Sequence, residues 1–100
     1  MKELSVMASV KLSVLRIVDT SQPFFVECEL VDCNGIRHHF VDKLPVFVAN
    51  ENTYPPCMGK MRCTIIETTK NTVVIDTSSP DDLESTNGNY QFEVFKEQIL

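Results

Sequence analysis

The stretch Glu27–Phe40 reads ECELVDCNGIRHHF, and the register of the turn inside it decides the fold. A two-residue Asn34-Gly35 loop would pair Leu30 with His39 and Glu29 with Phe40, setting Ile36 and Phe40 on an acidic face. A three-residue loop, Cys33-Asn34-Gly35 with Gly35 left-handed, instead pairs Leu30 with His38, Cys28 with Phe40 and Glu29 with His39. A slip of one residue sends every side chain to the opposite face of a sheet. Only the three-residue loop keeps apolar residues with apolar ones, so it is the expected register, with a G1-type bulge.

The same reasoning extends in both directions along the chain. Upstream, Val6, Ala8, Val10, Leu12 and Val14 share one phase, and Leu15 and Ile17 continue on the other. That switch predicts a long strand over about Leu4–Val18, interrupted by a bulge or strongly bent. Asp19–Pro23 is a turn, and Phe24–Asp32 alternates apolar and acidic residues. Downstream, Lys60–Thr68 and Thr72–Thr77 form a hairpin across Thr69-Lys70-Asn71, with Ile65 opposite Ile75 and Ile66 opposite Val74. Both faces of that hairpin are therefore expected to be buried. Tyr90–Phe95 is the last strand, and the KEQIL tail packs through Ile99.

Two segments carry no strand pattern. Asp42–Lys60 holds Pro45, Pro55 and Pro56, which exclude a long helix. At most one helical turn fits, near Ala49–Asn52, and Leu44, Val46, Phe47 and Val48 are expected to cover a barrel opening. Ser78–Asn89 is acidic, with Ser79 and Pro80 placed as a helix N-cap and first helical residue. The sum is an all-β fold in one domain, 1–100: a small antiparallel six-stranded barrel or coiled sheet, OB-like or SH3-like in size, with a long irregular loop over 43–59. Closure would remove exposed strand edges.

Bulk composition bounds the function. The chain has 100 residues, 43% of them hydrophobic, which suffices for a core without metals or disulfides. Its net charge of −5, with nine Lys and Arg spread thinly, disfavours nucleic acid. Glu3 and Lys11 interrupt the opening stretch, so neither a leader nor a membrane span is expected. The cytoplasm, with reduced cysteines, is the default compartment.

No motif specifies catalysis or a metal. His38 and His39, adjacent on a strand, point to opposite faces and cannot share one ion. His38 is expected inward beside Leu30 with a hydrogen-bond partner, and His39 outward beside Glu29. The cysteines, at 28, 33, 57 and 63, are spaced C-x4-C and C-x5-C, unlike a zinc knuckle. Cys28 and Cys63 fall in core phase, and nothing local would activate a thiolate. Asp76, Asp81, Asp82 and Glu84 lack the spacing and central glycine of a calcium loop. No Gly-rich phosphate loop is present.

At DKLPVF (Asp42–Phe47), VIDTSSP (Val74–Pro80) and ESTNG (Glu84–Gly88) the chain resembles a group of small bacterial all-β proteins of unassigned function, over about residues 24–95. The resemblance implies a compact, stand-alone bacterial domain in the cytoplasm. It brings no activity, cofactor or catalytic residue. Where that group has a bulky aromatic after the DTS-x-P turn, this chain has Asp81 and Asp82, so that apolar contact is not shared.

The resulting expectation is a non-enzymatic binding module for a protein partner, of inhibitor or immunity type, with no cofactor. It would act through the loops Leu44–Pro56 and Ser78–Asn89. The candidate contact residues are Arg37, His38, Leu44, Phe47, Tyr54, Asp81, Asp82 and Glu84. The alternative is an OB-like binder of single-stranded nucleic acid or a small ligand, using strand faces and stacked aromatics. Convergence of the two loops around a pocket lined by His38 or Arg37 would favour a ligand, and loops at opposite ends over a filled barrel would favour the interaction reading.

Overall fold

The computed structural model describes residues 6–50 and 53–100. It is all-β: β1 (Val6–Asp19), β2 (Phe25–Val31), β3 (Arg37–Lys43), β4 (Cys57–Thr68), β5 (Thr72–Asp76) and β6 (Gln91–Phe95). One helical turn, α1 (Leu44–Phe47), follows β3, and a 3-10 turn occupies Lys96–Gln98. Every pairing is antiparallel, in the order β3-β2-β1-β4-β5-β6. The sheet curls into a half-barrel around a core that includes Val10, Val14, Val26, Leu30, Phe40, Met61, Ile75 and Val94.

The β2–β3 hairpin takes the three-residue register: Leu30 pairs with His38, Glu29 with His39 and Cys28 with Phe40. Gly35 has φ +81°, and Asp32 Oδ1 accepts from the amides of Asn34 and Ile36. A left-handed glycine and an Asx-type carboxylate thus fix the turn from within. In β1 the pairing with β2 jumps from Val14–Cys28 to Arg16–Glu27. Leu15 is the extra residue, and Ile17 then returns to the inner face opposite buried Val26. The phase switch in the sequence is therefore a bulge, as its pattern requires. Of the strand's expected beginning, Leu4 and Ser5 lie outside the described residues.

Four local expectations are corrected. β4 begins at Cys57, three residues before Lys60, because β1 is long enough to pair with Cys57 through Val14. A second bulge between Ile65 and Glu67 places Glu67, not Ile66, opposite Val74. Ile66 is left 38% exposed, so the β4–β5 hairpin is not buried on both sides. The helical turn sits at Leu44–Phe47, with Pro45 in its first turn, where a missing N–H costs nothing; Ala49 and Asn50 are not helical, and the rest of the expected turn, Glu51 and Asn52, lies outside the described residues. Ser79 and Pro80 start no helix: Ser78–Asn89 is a chain of turns.

That loop is a lid as well as a connection. Leu83 is 3% exposed and belongs to the core, and Ser85 is buried beside it. Thr77 anchors the lid, its hydroxyl donating to the Leu83 carbonyl. The half-barrel's outermost strands, β3 and β6, do not pair as strands. Among the described residues three hydrogen bonds join their neighbourhoods instead: Cys33 N–H to the Glu93 carbonyl (2.8 Å), Thr86 N–H to the His39 carbonyl (2.8 Å) and Gln98 Nε2 to the Val31 carbonyl (2.9 Å). Phe92 fills the seam, with its ring 4.7 Å from His38 and 5.6 Å from Phe40.

Candidate functional site: clefts along the free edge of β4

β4 has different neighbours along its length. Cys57–Ile65 pairs with β1, but β5 joins only from Thr64 onward. Among the described residues, therefore, residues 57–63 have no strand partner on the side away from β1, and no loop donates a backbone hydrogen bond to them or accepts one from them. In an antiparallel ladder alternate residues turn their N–H and C=O away from a given neighbour. Half of the polar backbone groups of this segment thus face an unfilled edge.

Two loops flank that edge. The segment after β3 approaches until the Phe47 carbonyl lies above Gly59, where a Cβ would come within 2.8 Å of it. Leu44 and Phe47 point into the core, 5% and 1% exposed. On the other side Asp81, from the loop after β5, makes a two-point contact with Arg62, at 3.0 Å from Nε and 2.6 Å from Nη2. Asp81 keeps Arg62 charged, raising its pKa above the ordinary guanidinium value.

Two open clefts lie here. The first, about 360 Å³, is lined by Lys43, Pro45, Val46, Phe47, Val48, Ala49, Lys60, Arg62 and Asp81. The second, about 400 Å³, shares Phe47, Val48, Ala49 and Lys60 and extends to Lys11, Met58 and Leu100. Both fall within the size range of ligand pockets, about 300–1,000 Å³. Among the described residues Lys11, Lys43, Lys60 and Arg62 line them, in a chain of net charge −5. Lys11 and Lys60 are Cα partners across the β1–β4 ladder.

The expected contact residues do not form one group. Phe47 and Asp81 come together on the first cleft. Arg37 and His38 lie away from it on the β2–β3 hairpin. Arg37 is exposed and 3.6 Å from Glu29, and His38 Nε2 is 2.8 Å from Asp32 Oδ2, at the seam. His39 pairs with Glu29 at 3.1 Å, on the outer face. Tyr54 is 62% exposed and meets Phe24 edge-to-face. Asp82, at φ 54°, accepts the Tyr90 hydroxyl, and Glu84 is exposed. The sequence reading missed Lys11, Lys43, Lys60 and Arg62. Their signal was faint: Lys60 and Arg62 share the outward parity of one strand, but only the fold brings Lys43 beside them.

The thiols are held protonated. Burial pushes Cys28 up to about 12 and Cys63 up to about 11, and burial also raises Cys33 and Cys57. Among the described residues no three His, Cys, Asp or Glu side chains converge as a metal site, and no helix is long and apolar enough to cross a membrane. No protein-family model, curated protein or solved structure matches the chain.

Proposed function

We propose that this protein is a non-enzymatic interaction module that engages a protein partner along the free edge of β4, between the loop after β3 and Asp81. The observation that carries the reading is the pair of open, largely apolar clefts beside an unpaired strand segment. Apolar surface gives such a site its affinity, and a polar rim sets register. The chemistry elsewhere supports binding over catalysis. His38 and His39 are each committed to a different carboxylate on opposite faces, and the thiols lack the electropositive setting of a nucleophile.

A photo-crosslinking residue at Ala49 or Met58, compared with one at Lys70 in the distant β4–β5 turn, tests the reading in native cells. One polypeptide captured from Ala49 and Met58, and not from Lys70, is the expected result. Capture with no dependence on position would overturn it. A second reading, a small anionic ligand or single-stranded nucleic acid, draws on the lysines lining the clefts. It requires binding that weakens steeply with salt, read by titrating oligonucleotides from low ionic strength.

A further inference from the structure

Resting on that reading, we propose that the segment Cys57–Cys63 of β4 is a β-augmentation site: it receives an extended acidic peptide of the partner as an added strand, and Asp81 occupies the place of one of the peptide's carboxylates. Three independent observations converge on this occupant.

The first is the backbone. An added strand satisfies unpaired edge groups through main-chain hydrogen bonds, at a spacing of about 4.8 Å, and takes specificity from pockets for alternate side chains. On the side away from β1, β4 has no backbone partner from Cys57 to Cys63 among the described residues, with cleft space beside Met58, Gly59, Lys60 and Arg62. Natural sheets usually cover, shorten or kink such an edge. Here the neighbouring loops stand beside it and make no backbone hydrogen bond to it among the described residues.

The second is charge. Lys43, Lys60 and Arg62 line one cleft, and Lys11 and Lys60 the other. Among the described residues Asp81 is the one acidic side chain lining either cleft, in a chain of net charge −5. A basic peptide would be repelled locally, whereas an acidic one gains three to four complementary charges. The apolar stretch Pro45–Ala49 between them suits a strand that alternates acidic and apolar residues.

The third is the occupant already there. Asp81 grips Arg62 with both carboxylate oxygens, the fork geometry by which a guanidinium recognises a carboxylate. Arg62 is 58% exposed and Asp81 20%, so the pair is half open to water and only modestly stabilised. An incoming carboxylate can therefore take the place of Asp81. The pair competes with the partner and lowers its apparent affinity, as any internal ligand must.

A displayed library of random twelve-residue peptides, panned on the full chain at low salt, tests the proposal. Enriched sequences should be acidic and alternate with period two. The best of them, added to isotope-labelled protein, should shift the amides of residues 58–62. Methylating its backbone nitrogens on one edge should cost about tenfold or more in affinity, since the added-strand hydrogen bonds are lost. Lys43→Ala with Lys60→Ala should weaken binding, and Asp81→Asn should tighten it about threefold by freeing Arg62. The N-methyl comparison uses the unaltered protein, so it holds even if Asp81→Asn unfolds the lid.

Enrichment of neutral or basic peptides, shifts confined to β3 or β6, or indifference to N-methylation would overturn the proposal. So would a single-stranded oligonucleotide that displaces the peptide at low salt, or self-association through the same amides without any peptide. If no peptide enriches while Ala49 and Met58 still crosslink one host protein, the edge proposal falls and the interaction module stands. If both fail, both fall.

Discussion

Gly59 and Gly35 are both required, for opposite reasons. Gly59 has no room: a Cβ would meet the Phe47 carbonyl and Val14 Cγ2 at 2.8 Å each, and the carbonyl is backbone that cannot swing aside. Gly59→Ala should therefore lose about 1–3 kcal/mol through overpacking and lift the loop that frames both clefts. Gly35 has open space around it but φ +81°, so Gly35→Ala should cost about 1–2 kcal/mol through left-handed strain alone. Urea unfolding of the two variants gives the costs, and only Gly59→Ala should perturb the amides of residues 47–50. Asp76 carries an acid sensitivity. The Ser78 hydroxyl lowers its pKa most, against a smaller opposing effect of burial, and the Ser78 amide and Gln91 lower it further. An acid whose folded value is depressed stabilises the fold above its unfolded value, about 3.9, and that contribution is lost as pH falls through the lower folded value. Stability measured from about pH 5 downward should fall more gently in Asp76→Asn than in the wild type.

At the scale of elements, the strands were legible and the loops were not. Period-two alternation records which face is buried, so the β2–β3 register, the β1 bulge and the Ile65–Ile75 pair could all be read from the sequence. The Ile66–Val74 pairing failed because a bulge in β4 leaves no mark when Ile65 and Ile66 are both apolar. The loop Ser78–Asn89 looked like a solvated acidic turn with a helix start. Its lone large apolar residue, Leu83, was the overlooked sign that it closes the core. Leu83→Ala should cost about 2–5 kcal/mol, as a buried truncation does, and release Asp81 from Arg62. Thermal unfolding measures the first effect. The second is read from the Arg62 guanidinium resonance, which should move toward that of a free arginine. The candidate site was half legible: Phe47 and Asp81 were named, but the lysines that give the clefts their charge come from three separate elements.

For the molecule as a whole, curling a six-stranded sheet brings its outermost strands together without pairing them. Among the described residues the seam rests on three hydrogen bonds and the packing of Phe92 against His38 and Phe40. Phe92→Ala should open it, costing about 3–5 kcal/mol and hastening exchange of the Cys33 and Thr86 amides before those of β1. The edge of β4 over residues 57–63, which among the described residues has no strand partner on the side away from β1, is where we place function. Residue-resolved hydrogen exchange of the free protein tests that claim most directly. Protection should alternate along 57–63, with every second amide exchanging fast because it faces no neighbour, and should become continuous at Thr64 and Ile65, where β5 joins. Uniform protection from Cys57 to Ile65 would mean that the edge is already filled, and would contradict the account.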